Sequence, residues 1–132
     1  MEVNVADLIS EADELMEEAE EKIYHQFSEA YPLMRQAIDN LFKAFLIAGG
    51  VKVKGGSGFT HPARNLEVLF EQCRRLAPEF ETIEELTGYF TKEAPLNSDP
   101  ELISDAANEI WDFVIDLLSG DDDDDADEEE DS

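Results

Sequence analysis

One segment of this sequence constrains the fold more than any other, because Arg35–Ile47 is apolar on most sides of a helix. A helix that is hydrophobic all round is typically buried at the centre of its domain. The segment nevertheless carries the polar residues Gln36, Asp39, Asn40 and Lys43. Buried polar groups require hydrogen-bonding or ionic partners, so each of these side chains is either a satisfied structural contact or part of a site.

Apolar residues recur at helical spacing through most of the chain. Asn4 is followed three residues later by Asp7, a pattern that predicts the capped start of a first helix. Ser28 is predicted to cap a second helix that runs to about Ala48, with Pro32 in its first turn.

Three more helices are predicted after a Gly-rich segment. Pro62 suits the first position of a third helix. Thr82-Ile83-Glu84-Glu85 matches a capping box that opens a short helix, and Asp99-Pro100 starts a last helix that Gly120 ends. Because no strand pattern occurs, the sequence predicts an all-α fold, an antiparallel up-and-down bundle of four long helices plus one short helix.

The chain is strongly acidic, with 34 acidic and 9 basic residues and a net charge of −25. Ten of the acids lie in Asp121–Asp131, which leaves −15 for the rest of the chain. We expect residues 1–119 to form the helical domain and residues 120–132 to be a disordered acidic tail, because such a block can bury no apolar surface. The charge disfavours nucleic acid as a partner.

The sequence favours a cytoplasmic protein with no membrane attachment. Met1–Asn4 has neither the basic nor the apolar region of a signal peptide, and the longest apolar run, near Phe45–Ala48, is too short to cross a bilayer. The single cysteine, Cys73, allows no internal disulfide. Its place on the apolar face of the third helix predicts a small core residue.

The residue patterns of the common catalytic and metal sites are missing from the sequence. The only histidines are His25 and His61, and neither follows a glutamate by three residues as a helical di-iron site requires. No Cys-x-x-Cys is present for zinc, and Ser57 is not in a Gly-x-Ser-x-Gly elbow. We therefore predict a non-enzymatic protein with no catalytic residue, no metal and no cofactor.

The Gly-rich segment 49–60 is one candidate binding site. It leads into a helix N-terminus, whose backbone N–H groups favour anions. Lys52, Lys54, His61 and Arg64 are the residues that a phosphate-bearing ligand would contact there. The alternative is a mobile connection with solvated lysines.

A polar stripe on the second helix is the other candidate site. Gln36, Asn40 and Lys43 are spaced so that they share one side of the helix, and Asp39 can pair with Lys43 at i, i+4. The alternative is a narrow solvent-facing strip without a ligand.

The stripe also carries a family resemblance. The run Gln36-Ala37-x-Asp39-x-Leu41-x-Lys43-Ala44-x-Leu46 resembles the second-helix signature of HEPN domains, which is roughly Gln-Ala-x-Glu-x-x-x-Lys-Ala-x-Leu. A Gly-containing loop and His61 follow in the order found in that family. The resemblance covers about residues 5–118.

The resemblance implies a helical bundle that often forms a homodimer and binds a nucleotide or a partner protein, such as a minimal nucleotidyltransferase. Many HEPN domains are metal-independent ribonucleases with an Arg-x(4–6)-His motif, but no arginine of this chain has a histidine at that spacing. The resemblance therefore implies a non-catalytic member, with Gln36, Asp39, Lys43 and His61 at matched positions. The alternatives are a homodimeric interaction protein with no small ligand and a degenerate ribonuclease.

Overall fold

The structure is a computed structural model that describes residues 4–51, 62–91 and 99–119, with only the backbone described for residues 62–65. Within these ranges the chain is mostly helical and has no strand, which confirms the all-α prediction. The helices are α1 (Val5–Lys22), α2 (Phe27–Ala48), α3 (Pro62–Leu76), a 3-10 helix (Pro78–Ile83), α4 (Glu84–Gly88) and α5 (Pro100–Ser119). None of the described helices is both long and apolar enough to span a bilayer.

Two of the predicted helix starts are capped by side chains. The Asn4 side-chain oxygen accepts a hydrogen bond from the Asp7 backbone N–H at 2.8 Å. At the start of α5, the Asp99 carboxylate accepts one from the Glu101 N–H at 3.0 Å. Both contacts satisfy N–H groups that a helix leaves without an internal partner, so these two predictions are confirmed.

The predicted start of α2 is wrong. The helix begins at Phe27, before the expected cap Ser28, and Pro32 is its sixth residue rather than part of the first turn. The backbone carbonyl of Gln26 closes the first turn by accepting hydrogen bonds from the N–H groups of Glu29 and Ala30, at 2.8 and 3.0 Å. Pro32 then removes only the hydrogen bond to the Ser28 carbonyl, and Ser28 is exposed to water.

The capping box predicted at Thr82 is also wrong. Residues Pro78–Ile83 form the 3-10 helix, and α4 starts without a side-chain cap. The Thr82 hydroxyl donates to the backbone carbonyl of Glu79 at 2.8 Å. A 3-10 turn places i and i+3 together, so this contact replaces the cap that the sequence pattern indicated.

Helix α2 lies at the centre of the packing, as its composition predicts. It packs against α1, α3 and α5. The core that these helices share includes Met16 of α1, Ile38 and Phe42 of α2, Leu66 of α3 and Ile110 of α5.

Phe80, in the 3-10 helix, joins the aromatic side chains of three long helices. Its ring is fully buried. The ring centroids of Phe45 and Phe42 on α2 lie 4.9 and 5.6 Å away, that of Phe70 on α3 lies 6.2 Å away, and that of Phe113 on α5 lies 5.1 Å away. These are tilted and edge-on contacts, which are the favourable arrangements for aromatic pairs.

Candidate functional site

Four side chains spaced by four residues follow one side of α2. They are Tyr31, Arg35, Asp39 and Lys43, and we refer to them as the α2 ladder. Residues four apart lie above one another on a helix, so neighbouring members can interact. Arg35 and Asp39 are only 8% and 5% exposed, which is unusual for charged residues and shows that the ladder is set into the protein.

The upper half of the ladder is tied to the turn that follows α4. The Arg35 Nε donates to the backbone carbonyl of Phe90 at 3.0 Å, and its guanidinium carbon lies 4.8 Å from the centre of the Tyr31 ring. The Tyr31 hydroxyl donates to the backbone carbonyl of Tyr89. Burial raises the pKa of Tyr31, against the opposing effect of the neighbouring Arg35.

The lower half of the ladder is an ion pair. The Lys43 Nζ lies 2.9 Å from Asp39 Oδ1, and the two side chains are 16% and 8% exposed. This confirms the i, i+4 pairing that the sequence predicted. The alternative, a solvent-facing strip of Gln36, Asn40 and Lys43, does not hold for Asn40, which is 2% exposed. Asn40 is buried on a helix that packs against three others.

Gln36 and Asn40 form a hydrogen-bonded pair of amides beside the ladder. Gln36 is exposed and its Nε2 donates to the Asn40 Oδ1 at 3.1 Å. Asn40 is 2% exposed, and its Nδ2 has no hydrogen-bond partner among the described residues. The exposed amide is thus held in place by a buried one.

A small cleft opens beside the ladder. It is lined by Pro32, Arg35, Gln36 and Asp39, and its volume of about 120 Å³ is smaller than that of most ligand pockets. We call it the Arg35 cleft. It offers a guanidinium, an amide and a carboxylate within two turns of one helix, so it can hydrogen-bond both donors and acceptors of an incoming group.

No family model, curated protein or solved structure matches this chain. What the α2 face does is therefore inferred from its own chemistry. The Arg35 cleft can hold one polar group of a larger partner, such as an amide, a carboxylate or a guanidinium. In the part of the chain that the structure describes, no three His, Cys, Asp or Glu side chains could hold a metal ion.

The predicted site residues do not all fall in the described part of the chain. Gln36 and Asp39 line the Arg35 cleft, and Lys43 pairs with Asp39 at its edge. Lys52, Lys54 and His61 lie outside the described residues. The backbone of Arg64 is in α3, but its side chain is not described, so the predicted phosphate site stays a prediction.

Arg35 is the cleft residue that sequence reasoning missed. The sequence treated it only as an arginine without a histidine at ribonuclease spacing. The sequence does indicate a role for Arg35, because Tyr31, Arg35, Asp39 and Lys43 are spaced by four residues. At this spacing an aromatic ring, a cation, an anion and a second cation can each interact with the next along one helix.

Cys73 is a buried core residue, as the sequence predicted. Its thiol lies 3.6 Å from the Phe42 carbonyl and is fully buried. Burial raises the pKa of the Cys73 thiol well above its ordinary value of 9.0. We expect the native protein to resist alkylation by iodoacetamide, because the thiolate is the reactive form.

The raised pKa of Cys73 also predicts a loss of stability in alkali. Above pH 9.0 the thiol ionises in the unfolded chain but stays protonated in the folded one, so the unfolded state binds fewer protons and the free energy of unfolding falls. Between pH 9 and 10 the loss should be about 1 kcal/mol. Urea unfolding at both pH values should show this loss in the wild type and a smaller one in Cys73→Ala; equal losses would contradict it.

Proposed function

We propose that this chain is a non-catalytic HEPN-like domain of the cytoplasm whose α2 face binds a partner protein. The matched residues Gln36, Asp39 and Lys43 all lie on or beside the Arg35 cleft, which supports this assignment. The resemblance suggests a minimal nucleotidyltransferase as the partner. We also propose that the four long helices form an antiparallel up-and-down bundle, because a four-residue connection, Ile23–Gln26, joins α1 to α2 and because α2 packs against the other three.

The observation that carries the proposal is that two buried charged side chains line an open cleft. Arg35 and Asp39 are both more than nine-tenths buried, yet both line a cleft whose edge is the exposed Gln36. A partner side chain that enters the cleft meets partly desolvated charged groups. Contacts of this kind, when neighbouring contacts exclude water from them, are where binding energy concentrates in protein interfaces.

The charges of the described surface favour a protein over a nucleotide. Lys22, Lys43 and Arg74 each pair with a carboxylate of this chain. Paired cations contribute little attraction for phosphates, whereas a net charge of −25 attracts a basic protein surface. The Arg35 cleft, at about 120 Å³, is also smaller than the pockets that enclose whole small molecules.

The proposal is tested by titrating the full chain with a purified minimal nucleotidyltransferase in a calorimeter. Gln36→Arg should weaken binding at least tenfold, because it places a longer, charged side chain at the mouth of the cleft. Ser28→Arg is the matched control: it makes the same charge change at an exposed position of α2 outside the cleft, and should leave the affinity within about twofold.

Other outcomes separate the remaining candidates. If mononucleotides raise the melting temperature of the wild type and Gln36→Arg abolishes that rise, the result would favour the hypothesis that the α2 face binds a nucleotide. Light scattering that gives a dimer for the wild type and a monomer for Gln36→Arg would favour self-association. No binding in any of these assays, or equal effects of both arginine variants, would contradict a binding role for the α2 face.

A further inference from the structure

A row of partly exposed apolar side chains follows one side of α5. Its members are Trp111, Ile115 and Leu118, and we call them the Trp111 stripe. Spacings of four and three residues bring side chains to the same side of a helix. Each of the three packs against the core and yet stays partly exposed to water. None of them lines the Arg35 cleft, so the stripe does not depend on the function proposed for the α2 face.

The stripe lies beside the residues that anchor α5 in the core. The anchoring face is fully buried and consists of Ile103, Ala107, Ile110 and Val114. Trp111 and Ile115 each follow a member of that face by one residue, which turns them about 100° away from it. The helix packs against α2 and α4. The apolar part of its surface is therefore wider than the part that the described helices bury.

Trp111 has no specific partner in the described part of the chain. Its ring makes no aromatic contact and its indole N–H makes no hydrogen bond with any described residue. The ring of Phe113, by contrast, has its centroid 5.1 Å from that of Phe80. Tryptophan combines a large apolar ring with one hydrogen-bond donor and is enriched among the residues that dominate binding at protein interfaces.

The polar side of α5 is entirely acidic. It carries five acidic residues and no basic one, namely Glu101, Asp105, Glu109, Asp112 and Asp116. All five are exposed, and none forms an ion pair with a described residue. Asp112 lies three residues before Ile115 and is its neighbour on the helix surface. Unneutralised carboxylates therefore border the Trp111 stripe.

The apolar stripe and its acidic border together select the kind of partner. They complement a helix that has apolar side chains on one side and lysine or arginine beside them. A second copy of this chain would bring the same carboxylates against the stripe, and like charges that face each other across an interface oppose binding. An anionic membrane surface is disfavoured for the same reason.

We propose that the Trp111 stripe is the docking surface for a basic amphipathic helix of another protein. Apolar side chains of that helix cover Trp111, Ile115 and Leu118, and its lysines or arginines pair with Asp112 and Asp116. The apolar contacts hold the helix in place, and the charges exclude acidic partners.

The test uses the fluorescence of Trp111, the only tryptophan of the chain. The full chain is titrated with an end-blocked peptide made of two copies of Leu-Lys-Lys-Leu-Leu-Lys-Leu, whose leucines share one side of a helix. We expect a saturable blue shift of the emission, because the peptide removes the indole from water. A peptide of the same composition whose leucines are scattered around the helix should bind at least tenfold more weakly.

Ile115→Gln should weaken binding of the amphipathic peptide about tenfold, because it removes an apolar contact from the middle of the stripe. The matched control is Leu102→Gln, which makes the same kind of change at a residue of α5 that is 37% exposed and does not belong to the stripe. It should leave the affinity within about twofold.

The charges are tested on exposed residues, whose substitution leaves the packing of α5 intact. Asp112→Asn/Asp116→Asn should weaken binding about tenfold and reduce its dependence on salt. The control Glu14→Gln/Glu18→Gln removes the same charge from exposed residues of α1, at the same spacing, and should have an effect below about twofold.

Equal binding of the two peptides, or equal weakening by the stripe variants and their controls, would show only diffuse attraction to an acidic protein and would overturn the proposal. So would the absence of a blue shift with the amphipathic peptide. A blue shift with neutral phospholipid vesicles but not with the peptide would overturn it in favour of a lipid surface. A blue shift that appears without peptide as the chain is concentrated would overturn it in favour of self-association.

Discussion

Phe80→Ala is expected to lower the free energy of unfolding by about 4 kcal/mol, the typical cost of truncating a buried phenylalanine. The side chain is fully buried and its ring contacts Phe42 and Phe45 of α2, Phe70 of α3 and Phe113 of α5. Truncation leaves a cavity that no single helix can close, because the lining comes from three of them. Urea unfolding followed by circular dichroism gives the change directly.

Tyr24→Ala provides the comparison for Phe80→Ala. Tyr24 is 70% exposed, so removing its ring should change the free energy of unfolding by less than about 0.5 kcal/mol. Phe80→Leu should fall between the two, since it keeps part of the buried volume. A loss below about 1 kcal/mol for Phe80→Ala would mean that the 3-10 helix is not a part of the core.

Asp39→Asn is expected to lower the free energy of unfolding by about 3 kcal/mol, because it leaves the largely buried Lys43 ammonium without its carboxylate. The cost arises from the uncompensated charge rather than from lost packing, since asparagine has nearly the same shape. Urea unfolding at neutral pH measures it.

The double variant Asp39→Asn/Lys43→Met distinguishes the charge from other contributions. It removes both charges and keeps the buried stem of the lysine, so most of the lost stability should return. Glu29→Gln serves as the exposed comparison: it breaks an ion pair with Lys22 in which Glu29 is 55% exposed, and should cost under about 0.5 kcal/mol. Equal losses in Asp39→Asn and Glu29→Gln would contradict a buried role for Asp39.

Local chemistry accounts for what could be predicted of the fold. Asn4, Pro62 and Asp99 mark helix starts because the N-cap contact or the fixed φ of proline acts within one turn. The start of α2 and the role of Thr82 depend instead on where distant apolar side chains pack. Ser28 and Thr82 have good capping side chains, but neither caps a helix in the structure. Where the neighbouring helices begin depends instead on the burial of Tyr31 and Phe80.

The candidate site was predicted in part for a similar reason. The pairing of Asp39 with Lys43 follows from spacing along a single helix. The place of Arg35 in the cleft does not, because Arg35 is held by the turn after α4, where the Phe90 carbonyl accepts its hydrogen bond. The two residues are 55 positions apart in the sequence, and no local pattern reports a contact at that distance.

The four-residue connection between α1 and α2 has a consequence for how the chain folds. Contacts between these two helices join residues that are close in sequence, so forming them requires little loop-closure entropy. Contacts of α2 with α5 close a much longer loop. Folding can therefore begin with α1 docking on α2, which leaves the side of α2 that contacts Phe80 to be covered last.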